Sequence, residues 1–431
     1  MRWLDQYFGI SARGSSVRTE ILAGVATFLT MAYIIVVNPA ILSTAGLDFG
    51  AVFVATIVAA VVGCSIMGLW ANWPVAMAPG MGLNAFFTFG VVLGMKQPWE
   101  VALGAVAVSG VLFLVLSLTG LREWVINSIP KSLKLGIGAG IGMFLAIIGL
   151  KNAGVVVDHP ATLVGLGDFT SLPVVLFLVG FCIMVVLDRL RVPGGIVIGV
   201  VAVSIVGWLT GTSEFAGVVG AIPSLEPTLL KLDIQGALTA TMIGVVFAFL
   251  FVDFFDTAGT LTSVANIAGK IDEDGKIENI GRAVVSDSIA TIVGALFGTS
   301  NTTSYIESAA GIKEGGRTGL TAVVVAVLFL LCLVFAPLAK SIPAYATGAA
   351  LVFVATHFMR NMIDIDWDDV TEYSPAVLAA ILMPLTFSIA NGIAIGFITY
   401  AVVKIASGRI SDANPAVLLV AVLGALHYGF G

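Results

Sequence analysis

Phe251 to Ser263 reads FVDFFDTAGTLTS, and it closes an apolar run, Ala237 to Phe251, of the kind that spans a membrane as a helix. Into this run come Asp253 and Asp256, followed by Thr257, Gly259 and Thr260. At helical spacing the two acids lie within one turn of each other, and Asp256 and Thr260 share a face. A carboxylate at membrane depth costs ~2.5–3.5 kcal/mol on insertion scales, so an intramembrane acid marks a functional site by default. The competing reading ends the helix at Val252 and leaves both acids among lipid headgroups. Apolar residues continue past both acids, which speaks against it.

The whole chain has the composition of a membrane protein. Of 431 residues, 58% are hydrophobic and 11% charged, whereas about a quarter of a soluble domain is charged. Apolar runs of about 16–20 residues recur along its length, which defines an all-α polytopic membrane protein. About 14 or 15 apolar segments can be counted. The ambiguity is whether 375–389 and 391–405 are two short helices or one pair interrupted around Pro384 and Asn391-Gly392. The start, MRWLDQYFGISARGSSVRTE, lacks the apolar core and cleavage site of a signal peptide. Basic residues orient the spans. With the N-terminus cytoplasmic, the inside loops hold Arg122, Lys131, Lys134, Arg189, Arg191, Lys270, Lys276, Arg282, Lys313 and Arg317. The outside loops hold only Lys96, Lys151, Lys231 and Lys340.

Two segments are too short and too broken to be ordinary spans. MAPGMGLNAFF, Met77 to Phe87, carries Pro79, Gly80, Gly82 and Asn84; GTSNTTSYIESAAGI, Gly298 to Ile312, runs through a polar string into Glu307. Such segments are tolerated in lipid only where their backbone lines a cavity or meets neighbouring protein. They also occupy corresponding positions. Val62-Gly63 precedes Gly80 as Val293-Gly294 precedes Gly311, and Thr19-x4-Gly24-Val25 echoes Thr239-x4-Gly244-Val245. The echoes predict two repeats, about 18–212 and 237–405 or beyond, the second inverted. Paired, interrupted segments in two such halves point to a transporter's substrate site near the bilayer midplane.

The residue types describe the ligand. Ionised Asp256 and Glu307 accept hydrogen bonds, Asn84 donates and accepts, and half-helix N-termini add backbone donors with positive dipole ends. A neutral heterocycle with several N–H donors and ring or carbonyl acceptors suits this set, and a nucleobase fits. An anion does not, because neither broken segment holds a Lys or Arg before Ile312. Tyr305, Phe86, Phe254 and Phe255 offer stacking faces, against the commoner role of any one such ring in packing or facing lipid. Glu307 and Asp256 are the candidate proton-coupling groups, and without an oxygen cage in the sequence H+ is favoured over Na+ as the coupling cation.

At these residues the chain resembles a known family. TMAYIIVVNPAIL (Thr30 to Leu42), APGMGLNAFF (Ala78 to Phe87), FVDFFDTAGTL (Phe251 to Leu261) and GTSNTTSYIESAAGI are similar to the AzgA-like purine permeases of the xanthine/uracil permease superfamily. The resemblance covers nearly the whole chain. It implies 14 transmembrane segments in a 7+7 inverted repeat, with two half-helices preceded by short extended stretches. Core-domain halves would lie at 18–120 and 237–338, and gate-domain halves at 131–212 and 345–430. It places the substrate acids on Asp256 and Glu307 and the polar residue of the third segment on Asn84. Tyr305, Phe86 and Thr260 complete the expected substrate site, with Asp253, Asp287, Ser308 and Gly82 in support. The implied activity is import of hypoxanthine, guanine or adenine by symport across the cell membrane, as a homodimer through the gate domain. Uracil or xanthine is the alternative substrate.

Other features carry structural expectations. Asp287 is expected to cap or polarise the start of the ninth helix. The string Gly136, Gly138, Gly140, Gly142 lies in an apolar helix without a preceding strand, so it predicts close helix packing and not a nucleotide loop. His159, His357 and His427 are scattered away from the broken segments and are expected to stand outside the site. Cys64, Cys182 and Cys332 are far apart, so no disulfide or metal centre is expected. A channel would prefer a ring of like residues around an oligomer axis. A membrane enzyme would need a nucleophile, metal or phosphate motif that the sequence does not contain. No cofactor and no nucleic-acid partner is expected.

Overall fold

The computed structural model describes residues 2–119, 129–271 and 276–430; Arg122, one of the orienting bases, lies outside them. Among the described residues nine helices are long and apolar enough to cross a membrane, and Met81–Gly94, Gly195–Leu209 and Val370–Leu385 are shorter apolar helices. The acidic helix runs unbroken from Ala240 to Ala268 and stops at Gly269, whose φ of 67° gives the left-handed C-cap that glycine adopts without strain. It therefore passes through Asp253 and Asp256, and the reading that ended it at Val252 is wrong. Asp253 is buried, and Asp256 is half-buried.

Both broken segments are extended first and helical afterwards. The short strands are β1 (Met77–Pro79), β2 (Val156–His159), β3 (Leu163–Leu166) and β4 (Thr302–Ser304). β2 and β3 form a local hairpin. β1 and β4 pair antiparallel across the molecule, Met77 opposite Ser304, Ala78 opposite Thr303 and Pro79 opposite Thr302. Gly80 N donates to Asn301 O (2.8 Å) and Tyr305 N to Ala76 O (2.9 Å), which extends the ladder at each end. Backbone groups that would be unsatisfied at membrane depth thus find partners in the other half of the chain. A half-helix follows each strand: Met81–Ala85, continued by a wider turn to Gly94, and Ser308–Lys313.

The helices that precede the two strands are alike. Phe49–Ile66 and Ile280–Phe297 each have 18 residues, with Gly63 and Gly294 at matching places near their ends. The Gly80–Gly311 echo is not an equivalence. Gly80 caps the first half-helix, whereas Gly311 lies inside the second. The first connection is longer because a further turn, Met67–Ala71, and Asn72 at φ 53° intervene before β1.

The glycine string packs as expected. A Cβ at Gly136 would lie 2.5 Å from Ala376 O, one at Gly140 2.5 Å from Met383 Sδ, and one at Gly142 2.7 Å from Phe358 Cβ. The Lys131–Asn152 helix is thereby held against Val370–Leu385 and Ala344–Met359. The ambiguous stretch 375–405 resolves as two helices, Val370–Leu385 and Ile389–Ala406. Pro384 sits within the first of them, and the chain turns at Phe387, with φ 48°. The apolar tail forms a further helix, Pro415–Phe430, in which Gly424 packs against Ala394 and Ile398.

Candidate functional site

A cavity of about 1530 Å³ opens beside the strand crossing. The acidic helix lines one wall with Phe251, Phe255, Asp256 and Thr260, and the turn leading into the second half-helix adds Ile306 and Glu307. Facing them, the Lys131–Asn152 helix presents Ile137 and Ile141, and Ala344–Met359 presents Phe353 and His357. The mouth carries Lys131, Lys134, Arg191, Lys313 and Arg360 among its charged residues. Three of the residues singled out from sequence, Asp256, Thr260 and Glu307, are brought together on this wall. Glu307 stands one residue before the half-helix, and Tyr33 Oη donates to its Oε1 at 2.9 Å. Thr30, which also lines the cavity, turns its hydroxyl onto Thr27 O at 2.7 Å.

Behind this wall lies a buried polar network. Asn84 Nδ2 donates to Asn38 Oδ1 (3.0 Å), and Asn38 Nδ2 donates to the hydroxyls of Thr56 (2.7 Å) and Thr299 (2.8 Å). Asn84 Oδ1 has no hydrogen-bond partner. Asp253 Oδ2 accepts from Asn301 Nδ2 (2.9 Å) and Thr291 Oγ1 (3.0 Å). Asp287 lies inside the Ile280–Phe297 helix, two turns from its start, so it caps nothing; its Oδ1 accepts from Ser304 Oγ at 2.9 Å. The expectation of a capping role fails because Asn279, in the left-handed region, begins that helix.

The remaining expected site residues hold the crossing together. Tyr305 Oη donates to Pro79 O (2.5 Å), and Ala76 N donates to Ser308 Oγ (2.9 Å). Phe86 is fully buried against Phe249, ring centroids 5.1 Å apart. Gly82 is where the first half-helix meets the opposite wall, since a Cβ there would stand 2.4 Å from Ile141 Cγ2. Sequence reasoning missed Tyr33, and it expected His357 to stand outside the site, whereas His357 lines this cavity. Tyr33 sits within the quoted TMAYIIVVNPAIL motif, which was a usable signal. His357 had none, because it lies 50 residues from Glu307 on a helix of its own.

With the fold and cavity described, the chain can be placed. The Xan_ur_permease family model, that of a permease family, matches residues 18–395. The chain belongs to that family, and it is a multi-pass membrane permease, not an enzyme. Among its relatives, the adenine permease AdeP of Escherichia coli is 44% identical over 427 residues, covering 99% of this chain and 96% of AdeP. The guanine/hypoxanthine permease PbuG of Bacillus subtilis is 43% identical over 439 residues, covering 99% of this chain and 100% of PbuG. The transmembrane domain of a cyanobacterial bicarbonate transporter, BicA, shares the fold with a TM-score of 0.66 at 16% identity, over 86% of this chain and 96% of that one. The resemblance drawn from the four motifs is therefore correct.

Proposed function

We propose that this permease imports purine nucleobases across the cell membrane by symport with H+. The observation that carries this reading is the pairing of Asp256 and Glu307 on one wall of a single large cavity. Carboxyl oxygens on both groups can accept from a neutral ring with N–H donors, and the relatives named above are permeases of such rings. Asp256 anchors the substrate, and Glu307 carries the proton. Thr260 flanks them, and Asn84, Tyr305 and Phe86 stand behind them, packed in and beside the crossing. Asp253, Asp287, Ser308 and Gly82 support the crossing itself.

In this reading the chain has 14 segments in a 7+7 inverted repeat. The halves at 18–120 and 237–338 form a core that moves against a gate built from 131–212 and 345–430. Of the basic residues at the cavity mouth, Lys131, Lys134, Arg191 and Lys313 are among those that the charge bias assigns to the cytoplasm, so in this reading the arrangement is inward-open with the N-terminus inside. A homodimer through the gate domain completes the assembly. The test is uptake of radiolabelled adenine, hypoxanthine and guanine by cells lacking purine transport, with each base competing against the others. Saturable, concentrative uptake abolished by a protonophore is expected. Uptake that follows a Na+ gradient and ignores the pH gradient overturns the coupling, and no purine uptake overturns the substrate.

A further inference from the structure

Among the described residues His357 is the histidine that lines the cavity, and its geometry sets its chemistry. It lies two residues before the end of the Ala344–Met359 helix, and its ring packs on Phe353 with centroids 4.8 Å apart. Its Nδ1 is 3.2 Å from Phe353 O. A carbonyl can only accept, so Nδ1 holds the proton, and Nε2 is left as the basic nitrogen of a ring that lines the cavity. Glu307, on the opposite wall, lines the same cavity. Arg360 and Asp364, one and two turns further along the chain, stand at the mouth.

We propose that His357 is the group through which Glu307 passes its proton to the cytoplasm when the cavity is inward-open. This rests on the reading that Glu307 is the proton carrier. In the step, the O–H bond of the neutral Glu307 carboxyl breaks and an N–H bond forms at His357 Nε2, directly or along water in the cavity. That leaves a carboxylate and an imidazolium, and the imidazolium then gives the proton to bulk water. The purine leaves unchanged. Imidazole suits the task because its charge change ordinarily falls between about pH 5 and 8. The other titratable groups lining the cavity are Asp256 on the acidic helix, Lys131 and Lys134 on the Lys131–Asn152 helix, Asp188 near the end of the Leu172–Arg189 helix with Arg191 just beyond it, Lys313 at the end of the half-helix and Glu314 after it, together with its own neighbours Arg360 and Asp364. Charges of both signs therefore surround the relay.

The experiment compares wild type with His357→Gln in proteoliposomes, using radiolabelled adenine and hypoxanthine. Accumulation driven by a pH gradient requires net proton release, whereas counterflow at equal pH does not. The variant is expected to lose at least about tenfold in gradient-driven accumulation while counterflow persists, and its efflux rate should lose the dependence on internal pH that wild type shows. Purine-induced thermal stabilisation checks that the variant is folded and binds. Loss of accumulation and counterflow in equal proportion overturns the proposal, because it marks a structural role. Unchanged accumulation with an unchanged pH profile overturns it too. If wild-type accumulation itself ignores the pH gradient, proton coupling fails at its base, and that result is recognisable without the variant.

Discussion

Tyr33→Phe removes one oxygen atom from a buried ring and leaves the packing in place, so it isolates the Tyr33–Glu307 hydrogen bond. That bond is 2.9 Å long, and the hydroxyl donates to Glu307 Oε1. A hydrogen bond to an ionised group is worth about 1.5–3 kcal/mol, and each 1.4 kcal/mol is tenfold. If Glu307 acts as a carboxylate when purine binds, the variant should bind purine roughly 10- to 150-fold more weakly. The assay is equilibrium binding of radiolabelled adenine and hypoxanthine to purified protein, because it separates recognition from transport. The same substitution placed on Glu307→Gln gives a double-mutant cycle. A neutral amide oxygen accepts a weaker bond than a carboxylate, so the second Tyr33→Phe effect should be clearly smaller. A loss below about twofold, or equal losses in both backgrounds, would refute the reasoning, since uncoupled sites simply add.

Further outcomes can be checked alongside. Asp256→Asn and Glu307→Gln should each abolish uptake while membrane expression persists, because both keep size and remove charge; normal uptake kinetics in either variant would remove that residue from the site. Asn84→Ala should raise KM about 5- to 150-fold or change which purine wins in competition, from one lost buried hydrogen bond. Gly82→Ala should slow transport, because its Cβ meets Ile141 Cγ2 at 2.4 Å; Ile141→Ala in the same chain should restore part of the rate, and no recovery would rule out that contact as the cause. Lys270, just beyond the end of the acidic helix, is brought down to about 8 by burial and by the nearby Arg13, with Glu278 opposing. Its folded value lies below the ordinary 10.5, so the folded chain binds fewer protons between those pH values and stability should rise as pH climbs from about 8 to 10.5. Lys270→Met should flatten that rise in thermal denaturation and raise Tm at pH 7.

Much of this architecture was legible in the residues. Pro79, Gly80 and Gly82 broke the first segment, and the polar string at 299–304 broke the second, because chain that cannot satisfy its own backbone in lipid must find partners elsewhere. The acids at 253 and 256 were legible for the same reason of cost. The register of β1 with β4 was not, since spacing in each half says nothing of which strand meets which. It was set by a connection lengthened through Met67–Ala71, and that displaced the Gly80–Gly311 match. Asp287 looked like a helix-start residue because polar residues commonly cap helices, and only the position of Asn279 shows the true start. His357 stayed hidden because a cavity wall is made by elements far apart in sequence, and one histidine in an apolar helix has no pattern around it.

The strand crossing also bears on how the chain is made. β1 leaves the ribosome long before β4, and at roughly 5–20 residues per second the wait is on the order of 10 to 45 seconds. Throughout that interval Ala76 to Gly80 has no ladder partner, and apart from Met77, whose backbone meets Cys64 Sγ, its backbone polar groups stand open at membrane depth. Something must shelter them: the insertion machinery, retained water, or delayed entry of that segment into lipid. A chain ending near residue 236 therefore cannot complete its own first half, however sound its long helices are. Such a fragment should insert yet be cleared by membrane proteases, and co-expression of 237–431 as a separate chain should rescue it by supplying the missing strand.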